Sequence, residues 1–134
     1  MKRRRHRLAA IVLGVAGVAA CGSGTDTPTS PSATATETFQ ATLQPGGVAT
    51  HSFASNGGHL DITVVSAPGA VVGLGLGTWN ATSGRCTLVL SSPSAKQGDA
   101  FQAVASVGGA YCVQVGDAGG ITDPVGYTLT VAHP

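Results

Sequence analysis

Charged and aromatic side chains are both scarce in this chain of 134 residues, at 10% and 4% of the total. Amphipathic helices place apolar residues in a 3.6-residue repeat beside Glu- and Lys-rich faces, and no window of this chain has that pattern. The 20 glycines stand beside many Thr, Ser and Val residues, a composition typical of strands joined by turns. This composition predicts an all-β protein.

Basic residues are almost absent after the first seven positions. Five of the seven Lys and Arg residues lie there, and only Arg85 and Lys96 follow. Six acidic residues stand against these two bases, so the chain from residue 21 onwards has a formal charge of −4. Proteins that bind nucleic acid present clustered Lys and Arg to the phosphates. We therefore expect no nucleic-acid partner.

Long apolar runs are also missing. The longest one, residues 8–20, is too short to span a bilayer comfortably as a helix, and it follows a basic segment. This arrangement is typical of an export signal. The run ends in Val18-Ala19-Ala20-Cys21, which resembles the lipobox of bacterial lipoproteins.

The resemblance to lipoproteins implies that residues 1–20 are a signal peptide and that Cys21 carries the lipid. Two or more acyl chains hold a protein stably on a membrane, at about 0.8 kcal/mol per buried CH₂. Gly22 stands where an Asp would favour the inner membrane, so the outer membrane is favoured in a cell with two membranes. An ordinary secretory signal that ends at Ala20 and twin-arginine export through Arg3-Arg4 remain alternatives.

Residues 21–37 are rich in Thr, Ser, Gly and Pro and have no periodic apolar face. Such a segment buries too little surface to offset the entropy lost on ordering it. We expect this segment to be a tether, followed by one folded domain over residues 38–134.

Eight stretches of the predicted domain alternate apolar and polar residues, at a spacing of roughly ten residues. Turn signals such as Asn56-Gly57-Gly58 separate them. In the stretch 72–77 the alternate positions are all glycine, which leaves room for another backbone or a ring on that face. The pattern predicts a jelly-roll-like antiparallel β-sandwich of about eight strands.

Several strand motifs resemble the bacterial pre-peptidase C-terminal domain. The end of that domain is matched by Gly109-Ala110-Tyr111 with alternating apolar residues and by Tyr127-Thr128-Leu129-Thr130-Val131. Phe53 and the segment 60–64 are similar to its second and third strands. The resemblance covers residues 39–132. It implies a jelly-roll-like, non-catalytic module of a kind that is attached to secreted hydrolases and linked to secretion and to binding of insoluble substrates.

Two cysteines remain when Cys21 is assigned to the lipid. In an exported domain, Cys86 and Cys112 predict a disulfide. Strand alternation complicates this pairing, because Cys112 faces away from Val113 whereas Cys86 has the parity of Leu88. Two free thiols are the alternative.

Three histidines of the predicted domain are candidate metal ligands: His51, His59 and His133. His59 and Asp61 share one face of a strand, but zinc needs three or four converging ligands and the sequence brings no others near. We therefore expect no metal site and solvent-exposed histidines.

The acidic residues do not form a recognisable site. Asp117 and Asp123 flank a Gly-Gly loop, where they could bind calcium or cap backbone amides in a turn, and both readings stay open. Asp61 and Asp99 lie in unrelated segments, and no Gly-x-Ser-x-Gly elbow is present. We therefore expect no enzymatic activity and no cofactor.

Trp79 and Asn80 come directly after the glycine-faced strand and form the candidate ligand platform. An aromatic face beside an amide suits a polysaccharide or an extended peptide, whereas a partly buried loop tryptophan is the alternative. The sequence as a whole predicts an extracytoplasmic, lipid-anchored module of the bacterial cell envelope. It would bind an envelope polysaccharide or protein without catalysing a reaction. The alternative is a purely structural envelope or spacer protein with no specific ligand.

Overall fold

The computed structural model describes residues 34–134. The predicted signal peptide over residues 1–20, the lipidation of Cys21 and most of the tether over residues 21–37 lie outside the described residues and stay predictions. The first strand begins at Ala35 and pairs with the last strand through Ala35 and His133. This strand thus includes residues 35–37, which the composition had assigned to the tether, and they pair with the end of the last strand.

The described residues form eight strands. They are β1 (Ala35–Leu43), β2 (Val48–Ser55), β3 (Gly58–Ser66), β4 (Val72–Asn80), β5 (Arg85–Ala95), β6 (Ala100–Ala105), β7 (Gly109–Asp117) and β8 (Val125–His133). Residues 34–134 contain no helix long and apolar enough to cross a membrane.

The strands form two antiparallel four-stranded sheets. Sheet A has the order β1-β8-β3-β6, and sheet B has the order β2-β7-β4-β5. This interleaved order is that of a jelly roll, so the predicted fold class is confirmed. The edge strands β1 and β2 contact each other on one side of the sandwich, and the edge strands β5 and β6 flank the other side.

The core lies between the sheets and takes the inward residue of each alternating pair. The largest fully buried side chains are almost all aliphatic. They are Leu43, Leu60, Ile62, Leu129, Val64, Val72, Val113, Val115, Val131 and Cys112.

Rings close the gap between the sheets on the β1–β2 side. Phe39 on β1 stacks on His51 on β2, with ring centroids 4.8 Å apart. The Nε2 atom of His51 is hydrogen-bonded to the Tyr127 hydroxyl of β8 at 2.6 Å. Burial lowers the pKa of His51 and raises the pKa of Tyr127, so both groups favour their neutral forms.

His133 contributes to the same closure. It is only 5% exposed, its ring centroid lies 5.3 Å from that of Phe53, and its Nε2 atom lies 3.1 Å from a carboxylate oxygen of Glu37. The expectation of solvent-exposed histidines is therefore wrong for His51 and His133 and holds only for His59. Both exceptions belong to strands on the β1–β2 side, where a planar ring fills the gap between sheets and still reaches a polar partner.

The predicted disulfide between Cys86 and Cys112 is confirmed, and it lies across a strand. Cys86 is on β5 and Cys112 on β7, and β4 runs between them. Strands two apart in a sheet are separated by roughly 9.5 Å, yet the two Cα atoms are 5.8 Å apart. The chain of β5 therefore folds over β4 near Gly77, the residue paired with Cys112.

The glycines of β4 make this crossing possible. A Cβ on Gly77 would lie 2.0 Å from the Thr87 carbonyl oxygen, and one on Gly75 would lie 2.8 Å from a methyl group of Leu88. The predicted close approach on the glycine face is therefore real, and its occupants are the backbone and a side chain of β5. A register shift between Leu76 and Gly77 adds the extra residue in β5 that bends the strand there.

We expect Gly77→Ala to lower the free energy of unfolding by more than about 3 kcal/mol, because a backbone oxygen cannot move away from the new methyl group. Gly73→Ala is the matched control on the same strand and face, since its Cβ would meet no atom closer than 3.8 Å. Urea unfolding followed by circular dichroism measures both variants. Equal stabilities of the two variants would contradict the crossing of β5 over β4.

Candidate functional site

A cleft opens between the sheets on the side opposite the ring closure. It has a volume of about 230 Å³ and lies between the edge strands β5 and β6. Leu60 and Leu76 line it, although they are 1% and 5% exposed and belong to the core. The floor of this β5–β6 cleft is therefore the hydrophobic core itself.

Small residues keep the cleft open. Ala103 and Ala105 on β6 line it with single methyl groups. Aromatic and histidine rings fill the corresponding gap on the β1–β2 side. The sandwich is thus filled on one side and underfilled on the other.

The rim of the cleft exposes aliphatic side chains to water. Val89, Val104 and Val107 are 70%, 68% and 67% exposed, and Leu90 is 44% exposed. Leu88 is also 45% exposed, but its side chain lies over Gly75 on the glycine face of sheet B and not at the cleft. Edge strands of soluble proteins usually carry charges or are covered, and neither holds for the central part of β5. Exposed aliphatic side chains gathered around a cleft are typical of a binding surface.

The chemistry of the cleft is that of a non-polar binding site. None of its lining residues is charged. Thr78 and Ser106 offer hydroxyl groups, and the Tyr111 hydroxyl donates its hydrogen to the Val107 carbonyl oxygen. The cleft can therefore hold an apolar group, and it offers no paired acid and base for catalysis.

Trp79 and Asn80 belong to β4 rather than to a loop. Trp79 is half-buried and pairs with Cys86, beside the disulfide. The side-chain oxygen of Asn80 accepts hydrogen bonds from the amides of Thr82 and Ser83, both at 3.0 Å. Asn80 thus shapes the β4–β5 turn, and neither residue lines the β5–β6 cleft. That Trp79 is a ligand platform stays a prediction.

His59 and Asp61 share a face of β3, but they do not meet a third ligand. His59 is exposed, and one carboxylate oxygen of Asp61 accepts a hydrogen bond from the Gln102 amide at 3.2 Å. The other oxygen, Oδ1, is buried without a hydrogen-bond partner. Within residues 34–134, no three His, Cys, Asp or Glu side chains are close enough to hold a metal ion.

Asp117 organises two loops through backbone amides. Its Oδ2 accepts from Gly46 at 2.8 Å, and its Oδ1 accepts from Gly119, Gly120 and Ile121 at 2.8, 3.0 and 3.2 Å. These hydrogen bonds, with that of Gly46 the strongest influence, hold the pKa of the carboxyl below its ordinary value. Both oxygens are thus used as the turn interpretation requires.

The cleft was not evident from the sequence. Its walls belong to strands that are far apart along the chain, and the small residues Ala103 and Ala105 are unremarkable in a strand. The one available signal is the run Leu88-Val89-Leu90, three consecutive apolar residues in a strand whose alternation should place one of them outside.

Asp117→Asn removes the charge that the four amides stabilise, so we expect a lower free energy of unfolding at about pH 7. A lowered pKa in the folded state stabilises the fold above the ordinary pKa, and this contribution is lost as the pH falls through the folded-state pKa. The difference from wild type should therefore shrink at about pH 3. Asp123→Asn is the control, because that carboxylate accepts only from the Thr122 hydroxyl. Urea unfolding at both pH values checks this, and a pH-independent difference would count against it.

Known proteins resemble this chain in fold and not in sequence. No family model matches the chain, and no curated protein matches it in sequence. The crystal structure of the Yersinia pseudotuberculosis-derived mitogen is similar, with a TM-score of 0.53 and 14% identity over 75% of this chain and 86% of that chain. The crystal structure of PirA gives a TM-score of 0.45 and 12% identity over 72% of this chain and 93% of that one. At these identities, the similarity to the mitogen shows a shared β-sandwich fold.

Proposed function

We propose that this chain is a lipid-anchored, extracytoplasmic module of the bacterial envelope that binds a partner through the β5–β6 cleft and catalyses no reaction. The observation that supports this function best is the exposed aliphatic rim over a cleft whose floor is the core. Full burial of a Val or Leu side chain contributes about 1.5–3 kcal/mol, so a partner that covers this rim has a sufficient driving force.

The cysteines support the proposed location. The disulfide between Cys86 and Cys112 is typical of oxidising compartments outside the cytoplasm. The segment Val18–Cys21 has the lipobox pattern, and the following residues up to the first strand have the composition of a tether.

The lining of the cleft favours one kind of envelope partner. A polysaccharide needs many hydrogen-bonding groups, and the cleft offers mainly the hydroxyls of Thr78 and Ser106. An envelope component with an apolar segment fits better, because it loses no hydrogen bonds to water when it enters.

The anchor is tested by Cys21→Ser. We expect this variant to leave the membrane fraction and to lose incorporation of an alkyne-labelled fatty acid, because the thiol that bears the lipid is gone. Ser23→Ala is the control, since it leaves the Val18–Cys21 motif intact. Equal membrane retention and labelling of both variants would contradict a lipid on Cys21.

Binding is tested by sedimentation of the exported Cys21→Ser chain with isolated envelopes of the producing bacterium. Val107→Asp should abolish co-sedimentation, because it places a charge on the rim that must lose water when a partner binds. Val48→Asp is the matched control, since Val48 is 65% exposed on the opposite edge strand of sheet B. Absence of co-sedimentation in the parent chain would favour a purely structural spacer, and equal loss in both variants would exclude the cleft as the binding surface.

A further inference from the structure

We infer that the β5–β6 cleft takes one hydrocarbon chain of a membrane lipid, inserted between the two sheets. This inference rests on the proposed function and adds the chemical class of the ligand. The cleft is deep enough for the core residues Leu60 and Leu76 to line it. A ligand that only covered the rim would leave this floor unused.

The shape of the cleft suits a thin chain. It is about 230 Å³ in volume, below the size of a typical pocket for a drug-sized molecule, and it is open along the edges of β5 and β6. The lining side chains of Ala103 and Ala105 on β6 are single methyl groups, which leaves a slot between the two sheets that is lined mainly by carbon atoms. An inserted chain would fill the gap between the sheets on the β5–β6 side, as aromatic and histidine rings fill it on the β1–β2 side.

The polarity of the lining separates a hydrocarbon from a peptide. An inserted peptide would bring an N–H and a C=O group with every residue. The groups on one side of it could pair with the edge of β5 or β6, but those on the other side would need partners inside the slot. The lining supplies the hydroxyls of Thr78 and Ser106, and the Tyr111 hydroxyl is already bonded to the Val107 carbonyl. A hydrocarbon chain has no such requirement.

The charge distribution agrees with a neutral ligand. The segments 86–95 and 100–116, which contain β6 and nearly all of β5 and β7, carry no charged residue. Of the Trp, Tyr and Arg residues that dominate protein–protein interfaces, the lining contains only Tyr111, whose hydroxyl is already bonded to the Val107 carbonyl. The lipid anchor of the proposed function would hold the domain at a membrane surface, where acyl chains are the most abundant apolar ligand.

The test uses the exported chain with Cys21→Ser in every sample, so that neither an attached lipid nor detergent competes. A polyene fatty acid whose fluorescence rises in apolar surroundings is titrated into it. We expect saturable binding with one probe per chain. Ala103→Leu should weaken binding at least about tenfold, because the added carbon atoms occupy the slot.

Two further variants keep the test decisive if Ala103→Leu disturbs the fold. Val104→Asp charges an exposed rim position and should also weaken binding at least about tenfold, with an unchanged circular dichroism spectrum. Ala54→Leu adds the same carbon atoms at an exposed alanine on β2, on the far edge of sheet B, and should bind like the parent chain.

Three results would overturn the inference. The first is that the parent chain shows no saturable binding. The second is that the parent, Ala103→Leu and Val104→Asp bind the probe equally well. The third is that the parent chain is a dimer, that Val104→Asp converts it to a monomer, and that neither binds the probe. The last result would assign the cleft to a second copy of the chain. If envelope co-sedimentation persists while the probe does not bind, the proposed function survives and only the ligand class is wrong.

Discussion

The structure depends on the absence of a side chain at Gly77. Because nothing projects from β4 at this position, the backbone of β5 lies over it and Cys86 reaches Cys112 on the far side. The disulfide then fixes the edge strand β5 to β7, which lies on the other side of β4 in the sheet. On the chain-entropy model, a loop closed by a sequence separation of 26 residues stabilises the fold by roughly 3–3.5 kcal/mol. An edge strand held in this way can keep apolar side chains in water without depending on a covering strand.

The gap between the two sheets is filled with rings on one side of the sandwich and left open on the other. On the β1–β2 side, Phe39, His51 and His133 fill the space between sheets, and polar partners satisfy both histidines. On the β5–β6 side, Ala103 and Ala105 leave the space empty. An empty apolar slot forfeits packing energy, so the fold gains nothing from it. A ligand that enters the slot recovers this energy, which is the physical reason for assigning binding to that side.

Much of the fold was predictable because it depends on local pattern. Alternation along Leu60, Ile62 and Val64 and turn signals such as Asn56-Gly57 define strands and their inward faces without knowledge of the partners. The cysteine pair was predictable from composition, and its parity problem disappears because Cys86 and Cys112 both lie on the glycine face of sheet B.

The histidines and the cleft were less accessible, since both depend on which strands form the edges of the sheets. From the sequence alone, a polar histidine on a strand is expected to face solvent. His51 does not, because its ring packs against Phe39 and Tyr127 from two other strands. Likewise, Ala103 lines a cleft only because β6 faces β5 across the gap between the sheets. The expectation of a ligand platform at Trp79 and Asn80 rests on local sequence, which does not reveal that the Asn80 side chain accepts hydrogen bonds within the β4–β5 turn.

Insertion of a hydrocarbon chain into the gap between the sheets beside β5 and β6 can be measured directly. Methyl NMR spectra of the exported Cys21→Ser chain, recorded with a fatty acid that carries a spin label at its chain end, test this most directly. Insertion of the chain between the sheets predicts strong broadening of the Leu60 and Leu76 methyl signals and little effect on Leu43, a core residue on the edge strand β1. Broadening confined to Val89 and the other rim methyl groups, or equal broadening at Leu43, would contradict insertion between the sheets.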